Sequence, residues 1–261
     1  MTAIAFLFGL CIGSFINMCA YRMPRGYSLA YPRSRCGRCG FVVPWYDNLP
    51  VLSCLLLGAR CRRCGVGFSF SHAVVELATG ALAAAMFEAF GLTFFSVYYF
   101  VLLSALLLVS LIDLEFRIIP DEISIGGLVV GLATAAILST TGLPWVISFR
   151  SSLLGALFGA GILYGVGKAY ETLTGKEGIG LGDVKLLALM GAHTGVFGVL
   201  SIVFLSSLTG SIVGIAYVLV RRVHTRTPIP FGPFLCAAFV AEVFFRASIE
   251  KVCKVCIPFL V

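Results

Sequence analysis

The chain has 261 residues, of which 59% are hydrophobic and 12% are charged, and its formal net charge is +7. Its mean hydropathy is +1.03. Apolar runs of about twenty residues recur along the sequence, which excludes a soluble globular domain. We therefore predict an all-α polytopic membrane protein.

Eight segments can form transmembrane helices, and one of them is short. Seven are long enough to cross a hydrocarbon layer of ~30 Å. The short segment, 184–194, reaches only part of the way at ~1.5 Å per residue. It is nevertheless required if Asp113 and Asp183, described below, are to lie on the same side of the membrane. The predicted spans are 2–20, 72–90, 94–112, 123–141, 151–170, 184–194, 196–220 and 230–247.

The distribution of basic residues supports this count. If the chain begins outside, 15 of its 19 lysines and arginines fall in segments on the inner side. Cytoplasmic loops carry such an excess of positive charge. We therefore predict three regions: a first transmembrane helix at 1–20, a cytoplasmic loop at 21–71, and a membrane-embedded bundle at 72–261.

The cytoplasmic loop contains two Cys-x-x-Cys pairs, Cys36 with Cys39 and Cys61 with Cys64, each followed by a glycine. One such knuckle can place two thiolates on one metal ion, and two knuckles complete a tetrahedral site. Four protein ligands leave no open position for catalysis, so we predict structural zinc. Two disulfides are the alternative, but the cytoplasm is reducing.

The same loop is strongly basic. It holds eight arginines and one acid, Asp47, which gives a formal charge of +7. A zinc ion bound by four thiolates would lower this charge to about +5. Such a patch suits the anionic headgroups of membrane phospholipids. Nucleic acid is the rival partner, but tethering of the loop to the membrane at both ends makes it the weaker prediction.

Two aspartates lie at the ends of apolar runs, where a carboxylate is costly unless it has a partner or lines a wet cavity. Asp113 ends one run, and Asp183 begins another within GIGLGDVKL at 178–186. Three glycines in that stretch let the backbone approach another segment closely. We predict that the two carboxylates meet at the cytoplasmic face and share one proton.

Asp121 is the competing candidate for the first acid. It follows Pro120 at a predicted helix start, where the helix dipole favours an anion, so a structural role explains it. Asp113 lies at the carboxyl end of its helix, where the dipole disfavours an anion. This difference favours Asp113 as the functional residue.

A third buried acid, Glu76, lies in the apolar segment 72–90. An acid at this depth is a candidate site residue. The alternative is that Glu76 forms an ion pair with an arginine such as Arg22 or Arg60. The sequence alone does not separate these two interpretations.

Paired aspartates without nearby metal-ligand histidines, and without a Ser-His or Cys-His pair, are suited to activating water by acid–base catalysis. One carboxylate takes a proton from water while its protonated partner polarises the carbonyl of the scissile peptide bond. This chemistry is peptide hydrolysis of the aspartic-protease type. Ion and proton transporters also place acids within membrane spans, so a metal or proton transporter remains the alternative.

Several segments together resemble the bifunctional type IV prepilin peptidases, which are bacterial inner-membrane enzymes of the GxGD aspartyl class. The likeness runs from Gly13 to Phe239. The segments that carry it are GSFINMCAYRMP, the two cysteine pairs, DNLPVLSCL, VVEL, LIDLEFRIIPDEIS, GIGLGDVKL and PFGPFL.

This resemblance implies that Asp113 and Asp183 are the catalytic acids. It also implies that the substrates are type IV prepilins and the pseudopilins of type II secretion, cut after a short basic leader. S-adenosylmethionine would then donate a methyl group to the new amino terminus. We expect the methyl-donor site near the zinc loop and Glu76.

A non-catalytic membrane anchor for pilus assembly is a further alternative, in which both aspartates would tolerate substitution. The last two cysteines, Cys253 and Cys256, fall on the predicted outer side. They could form a disulfide or remain unpaired.

Overall fold

The computed structural model describes residues 1–31, 33–141, 143, 146–176, 178–221 and 230–256. The side chains of 221 and 247–256 are not among those described. The expectation for Cys253 and Cys256 therefore lies outside the described side chains.

The described residues form eight α-helices and contain no β-strand beyond two isolated antiparallel bridges, Arg35 with Val42 and Arg60 with Gly67. This confirms the all-α class. The helices are α1 (Thr2–Arg22), α2 (Leu52–Leu56), α3 (Ser71–Phe90), α4 (Phe94–Phe116), α5 (Asp121–Leu138), α6 (Phe149–Thr174), α7 (Leu181–Arg221) and α8 (Gly232–Cys256).

Among the described residues, six helices are long and apolar enough to cross a membrane: α1, α3, α4, α5, α6 and α7. Helix α7 is interrupted at Gly195, whose φ of 75° and ψ of −175° are not helical. The interruption falls between the predicted short span, 184–194, and the following span, 196–220. A glycine at this position accepts a positive φ without a steric penalty.

Large apolar side chains are exposed along these helices, including Leu7, Phe8, Val129, Phe204 and Ile212. Exposed rows of this kind would be unfavourable in water. They fit a surface that contacts lipid, as expected for a polytopic membrane protein.

The chain divides into two compact units, Met1–Leu108 and Val109–Val261. In the first unit, α1 packs closely on α3. A β-carbon on Gly13 would lie 2.6 Å from the Cα of Glu76, so only glycine permits this approach. The Asn17 side chain also donates a 2.9 Å hydrogen bond to the carbonyl of His72.

In the second unit, α6 packs on α7 through small residues. A β-carbon on Gly155 would overlap the backbone at Gly191, and one on Gly159 would lie 2.6 Å from the carbonyl oxygen of Leu187. Close contact through glycine is a common way for membrane helices to associate. This packing holds the short first part of α7 against α6.

Candidate functional site

The four predicted zinc ligands come together in the first unit. The Sγ atoms of Cys36, Cys39, Cys61 and Cys64 all lie within 4.8 Å of one another. The Sγ–Sγ distance is 3.7 Å between Cys36 and Cys64 and 3.9 Å between Cys39 and Cys61. Zinc–sulfur bonds of about 2.3 Å place the sulfurs of a tetrahedral site about 3.8 Å apart. The cluster can therefore bind a metal ion.

The two knuckles have the same backbone geometry. The N–H of Gly40 donates to the carbonyl of Cys36, and the N–H of Gly65 donates to the carbonyl of Cys61, each at 2.9 Å. The φ angles of these glycines are 67° and 68°. A side chain disfavours such angles, so glycine is required after the second cysteine of each pair.

The local backbone prepares one of these thiols for metal binding. Hydrogen bonds from the backbone N–H groups of Cys39 and Arg38 lower the pKa of Cys36 to about 6. The thiolate, rather than the thiol, is the form that binds metal. Cys54 lies outside the cluster as a free cysteine.

An ion pair links the segment between the two knuckles to the second knuckle. Arg62 donates two hydrogen bonds to the carboxylate of Asp47, at 2.6 and 2.8 Å. The hydrogen bonding from Arg62 holds the pKa of Asp47 below its usual value. The pair is therefore complete at neutral pH, and its contribution is lost only as the pH falls through that lowered pKa.

Asp113 is a buried residue in the last turn of α4. The backbone N–H of Gly232, the first residue of α8, donates a 3.1 Å hydrogen bond to Asp113 Oδ2. A β-carbon on Gly232 would lie 2.7 Å from the same oxygen. The start of α8 thus contacts the carboxylate directly.

Asp183 lies in the first turn of α7. Its Oδ1 is buried and has no hydrogen-bond partner among the described residues. The preceding glycines permit close contacts, because a β-carbon on Gly178 would lie 2.5 Å from the ring of Tyr170 and one on Gly182 would lie 3.0 Å from Ile119.

The two aspartates lie in one region of the second unit. Their carboxylates are close enough to interact electrostatically. Ile119 is a shared neighbour, since it is packed against both Gly182 and Gly232. One of the two carboxylates, that of Asp113, is held by a backbone donor.

Asp121 has a different environment. Its carboxylate is 55% exposed and accepts hydrogen bonds of 2.7 and 2.9 Å from Lys185. It is the first residue of α5 and follows Pro120. An exposed, paired residue at a helix start agrees with the structural role predicted for Asp121.

Glu76 is buried, as predicted, and its Oε2 accepts a 2.7 Å hydrogen bond from the backbone N–H of Val51. Val51 has a positive φ of 61°, which is unfavourable for a β-branched residue. The hydrogen bond from Val51 to Glu76 therefore links the loop between the two knuckles to α3. Sequence reasoning left open a site role or an arginine partner for Glu76 and did not anticipate this backbone donor.

Two further residues near the aspartates were missed by sequence reasoning. Cys236, in α8, is buried, is hydrogen-bonded to Ser110, and lies within electrostatic range of both Asp113 and Asp183. No spacing in the sequence connects Ser110 with Cys236. The only available signal was the PFGPFL motif just before Cys236.

The chain is similar to known families along most of its length. Residues 7–90 match the Bacterial Peptidase A24 N-terminal domain, and residues 100–215 match the Type IV leader peptidase family. No solved structure matches the chain significantly.

Three relatives are named Prepilin leader peptidase/N-methyltransferase. The one from Burkholderia pseudomallei is 34% identical over 93% of this chain and 85% of its own length. The one from Myxococcus xanthus is 39% identical over 82% of this chain and 62% of its own length. The one from Pseudomonas aeruginosa is 35% identical over 89% of this chain and 86% of its own length. The chain belongs to the prepilin leader peptidase/N-methyltransferase family.

Proposed function

We propose that this protein cleaves the leader peptide of type IV prepilins, and of type II secretion pseudopilins, and then methylates the new amino terminus. The reaction would take place at the cytoplasmic side of the bacterial inner membrane. Membership of the family supports both activities. The observation that supports the proteolytic half is that Asp113 and Asp183 lie in one region of the second unit, near enough for their charges to interact and with Ile119 as a shared neighbour.

We assign hydrolysis to these two residues. A carboxylate accepts a proton from water while the second, protonated acid donates to the carbonyl oxygen of the scissile bond. Asp113 is buried, and one oxygen of Asp183 is buried without a hydrogen-bond partner among the described residues, so both carboxyl groups are at least partly shielded from bulk water. Acids in such a setting keep the proton-sharing arrangement that this chemistry needs.

We assign a structural zinc ion to Cys36, Cys39, Cys61 and Cys64. Their sulfur spacing fits a tetrahedral zinc site, and all four positions of such an ion would be filled by protein. Zinc would link the two knuckles and so fix the loop 21–71 as a separate region, which is the domain division that we propose.

The methyl-transfer half rests on the family and on the names of the relatives. S-adenosylmethionine supplies a methyl group on a sulfonium ion, and we propose that it binds in the first unit. Glu76 acts there by holding Val51, and with it the loop between the knuckles.

The basic loop provides a site for an anionic phospholipid. A cleft of about 610 Å³ is lined by Met18, Arg22, Arg33, Trp45 and Asn48, among others. It adjoins the carboxyl end of the transmembrane helix α1. Arginine can pair with a lipid phosphate, and an exposed tryptophan suits the membrane interface. We assign no nucleic acid to this surface.

A metal or proton transporter is not favoured. The family named above consists of peptidases, and the cysteine cluster is complete as a four-ligand site with no position left for passage of an ion. A transporter would move ions across liposomes and leave a prepilin intact.

The experiment that tests the proposal combines both activities. Purified full-length protein in lipid nanodiscs is incubated with a synthetic prepilin and isotope-labelled S-adenosylmethionine, and the products are measured by mass spectrometry. We expect a peptide that has lost its leader and gained one labelled methyl group. An uncut prepilin would contradict the peptidase assignment, and a cut but unmethylated product would contradict the methyltransferase assignment.

A further inference from the structure

The hydrogen bond from Gly232 to Asp113 makes the two aspartates unequal. Asp113 Oδ2 accepts the N–H of Gly232, which is one of the N–H groups that the first turn of a helix leaves free. The positive end of the α8 dipole therefore faces Asp113. Arg117 adds a favourable electrostatic interaction from the segment that follows α4.

Asp183 is placed differently, and as a residue it is only partly buried. Its buried Oδ1 lacks a hydrogen-bond partner among the described residues. An ionised carboxylate with an unpartnered buried oxygen is strongly disfavoured, whereas a protonated acid carries no net charge to solvate. The nearby Asp113 carboxylate and the thiol of Cys236 supply no positive charge.

The dipoles of the helices that carry the two acids have the opposite effect, because they favour a charge on Asp183 over a charge on Asp113. Asp183 lies in the first turn of α7, which favours an anion, and Asp113 lies in the last turn of α4, which does not. A direct hydrogen bond to a carboxylate outweighs the dipole of a residue's own helix, and the α8 dipole offsets that of α4 at Asp113. Burial disfavours the charged form at both positions, and between the two acids these contacts favour the charge on Asp113.

We propose that Gly232 is a positioning residue which fixes Asp113 as the base of the pair and leaves Asp183 as the acid. This inference rests on the proposed peptidase function and assigns a separate role to each carboxylate. Glycine is required because a β-carbon at this position would lie 2.7 Å from Asp113 Oδ2.

The roles give a balanced reaction. Asp113 takes a proton from water as the water oxygen bonds to the scissile carbonyl carbon, and Asp183 gives its proton to the carbonyl oxygen. The resulting tetrahedral diol then collapses. Asp183 takes back a hydroxyl proton as the carbonyl re-forms, and Asp113 donates its proton to the nitrogen as the C–N bond breaks. Both acids return to their starting states.

The first test compares Gly232→Ala with Gly126→Ala. Gly126 is a matched control, because it lies in α5 and a β-carbon there meets nothing within 4 Å. For cleavage of a prepilin, we expect Gly232→Ala to lower kcat at least tenfold with KM changed less than about threefold. Gly126→Ala should retain the parent kcat. A Gly232→Ala protein with the parent kcat would overturn the proposal.

The second test remains informative if Gly232→Ala is poorly active for general structural reasons. Infrared spectra of Asp183→Asn, in which only Asp113 of the pair can ionise, are recorded over a pH series and compared with those of Asp113→Asn. We expect the carboxyl band assigned to Asp113 to disappear at a lower pH than the band assigned to Asp183. Adding Gly232→Ala should shift the Asp113 transition to higher pH and leave the Asp183 transition in place.

The division of roles between Asp113 and Asp183 and the proposed peptidase function can fail separately. If the order of the infrared transitions is reversed, or if Gly232→Ala moves neither, the division of roles is wrong even when prepilin is still cleaved. If no prepilin is cleaved by the parent protein, the proposed function fails whatever the order of ionisation.

Discussion

The Oε2 atom of Glu76 lies 2.7 Å from the backbone nitrogen of Val51, so that a buried acid on α3 holds a strained residue of the loop 21–71. Glu76→Ala would leave that N–H unpaired at a cost of about 1–3 kcal/mol. We expect faster hydrogen exchange over 47–57, measured by mass spectrometry, and a larger loss of methylation than of cleavage. Glu76→Gln, which keeps an acceptor oxygen, should lie between Glu76→Ala and the parent. Unchanged exchange in Glu76→Ala would show that the contact does not stabilise the loop.

Elemental analysis tests the metal centre. We expect about one equivalent of zinc in the purified protein, since one ion satisfies all four thiolates. The Cys36→Ser/Cys61→Ser double variant should lose this zinc, because each knuckle loses a ligand. Cys54→Ser is the control, since Cys54 lies outside the cluster and should leave the zinc content unchanged. Full zinc in the double variant would mean that the ligands are misassigned.

The glycine contact between α6 and α7 predicts that even one added methyl group at Gly155 lowers the stability of the protein. Gly155→Ala would force a methyl group into the backbone at Gly191, and overpacking of this kind costs about 1–3 kcal/mol or more. We expect a lower midpoint of thermal unfolding in detergent. Gly161→Ala, on the same helix, meets nothing within 4 Å and should leave the midpoint nearly unchanged. Equal midpoints for the two variants would refute the packing described here.

The cleft beside α1 predicts selective lipid binding. Native mass spectrometry should detect more bound phosphatidylglycerol than phosphatidylcholine, because Arg33 and Arg22 can pair with an anionic headgroup. Arg33→Gln should reduce this preference, whereas Arg63→Gln, an equal change of charge on an exposed residue outside the cleft, should reduce it less. If both variants lose the same share of the preference for phosphatidylglycerol, the preference depends on overall charge and not on the cleft. If inorganic phosphate displaces the lipid, the cleft is a phosphate site instead.

Local patterns predicted much of this structure. The spacing of the cysteines and the glycine after each pair predicted the two knuckles. The fold of a knuckle depends on residues that are close together in the sequence. The expected boundary between spans near 195 coincides with the non-helical Gly195. The contrast between Asp113 and Asp121 also followed from their positions at opposite ends of helices, and the burial of Asp113 and the pairing of Asp121 with Lys185 agree with it.

Contacts made by backbone groups could not be predicted in this way. Gly232 and Asp113 are 119 residues apart, and Glu76 and Val51 are 25 apart. In both pairs the donor is a main-chain N–H, which every residue except proline possesses, so the sequence carries no signal for it. Only the folded chain determines which N–H reaches which carboxylate.

The central claim is that Asp113 and Asp183 together hydrolyse the peptide bond. Cleavage of a synthetic prepilin, followed by product mass, tests it in Asp113→Asn, Asp183→Asn and the control Asp121→Asn, whose exposed carboxylate pairs with Lys185. We predict a loss on the order of 10³-fold in each of the first two variants, as expected for removal of a general acid or base, and near-parent cleavage by Asp121→Asn. Full cleavage by either Asp113→Asn or Asp183→Asn would contradict the account.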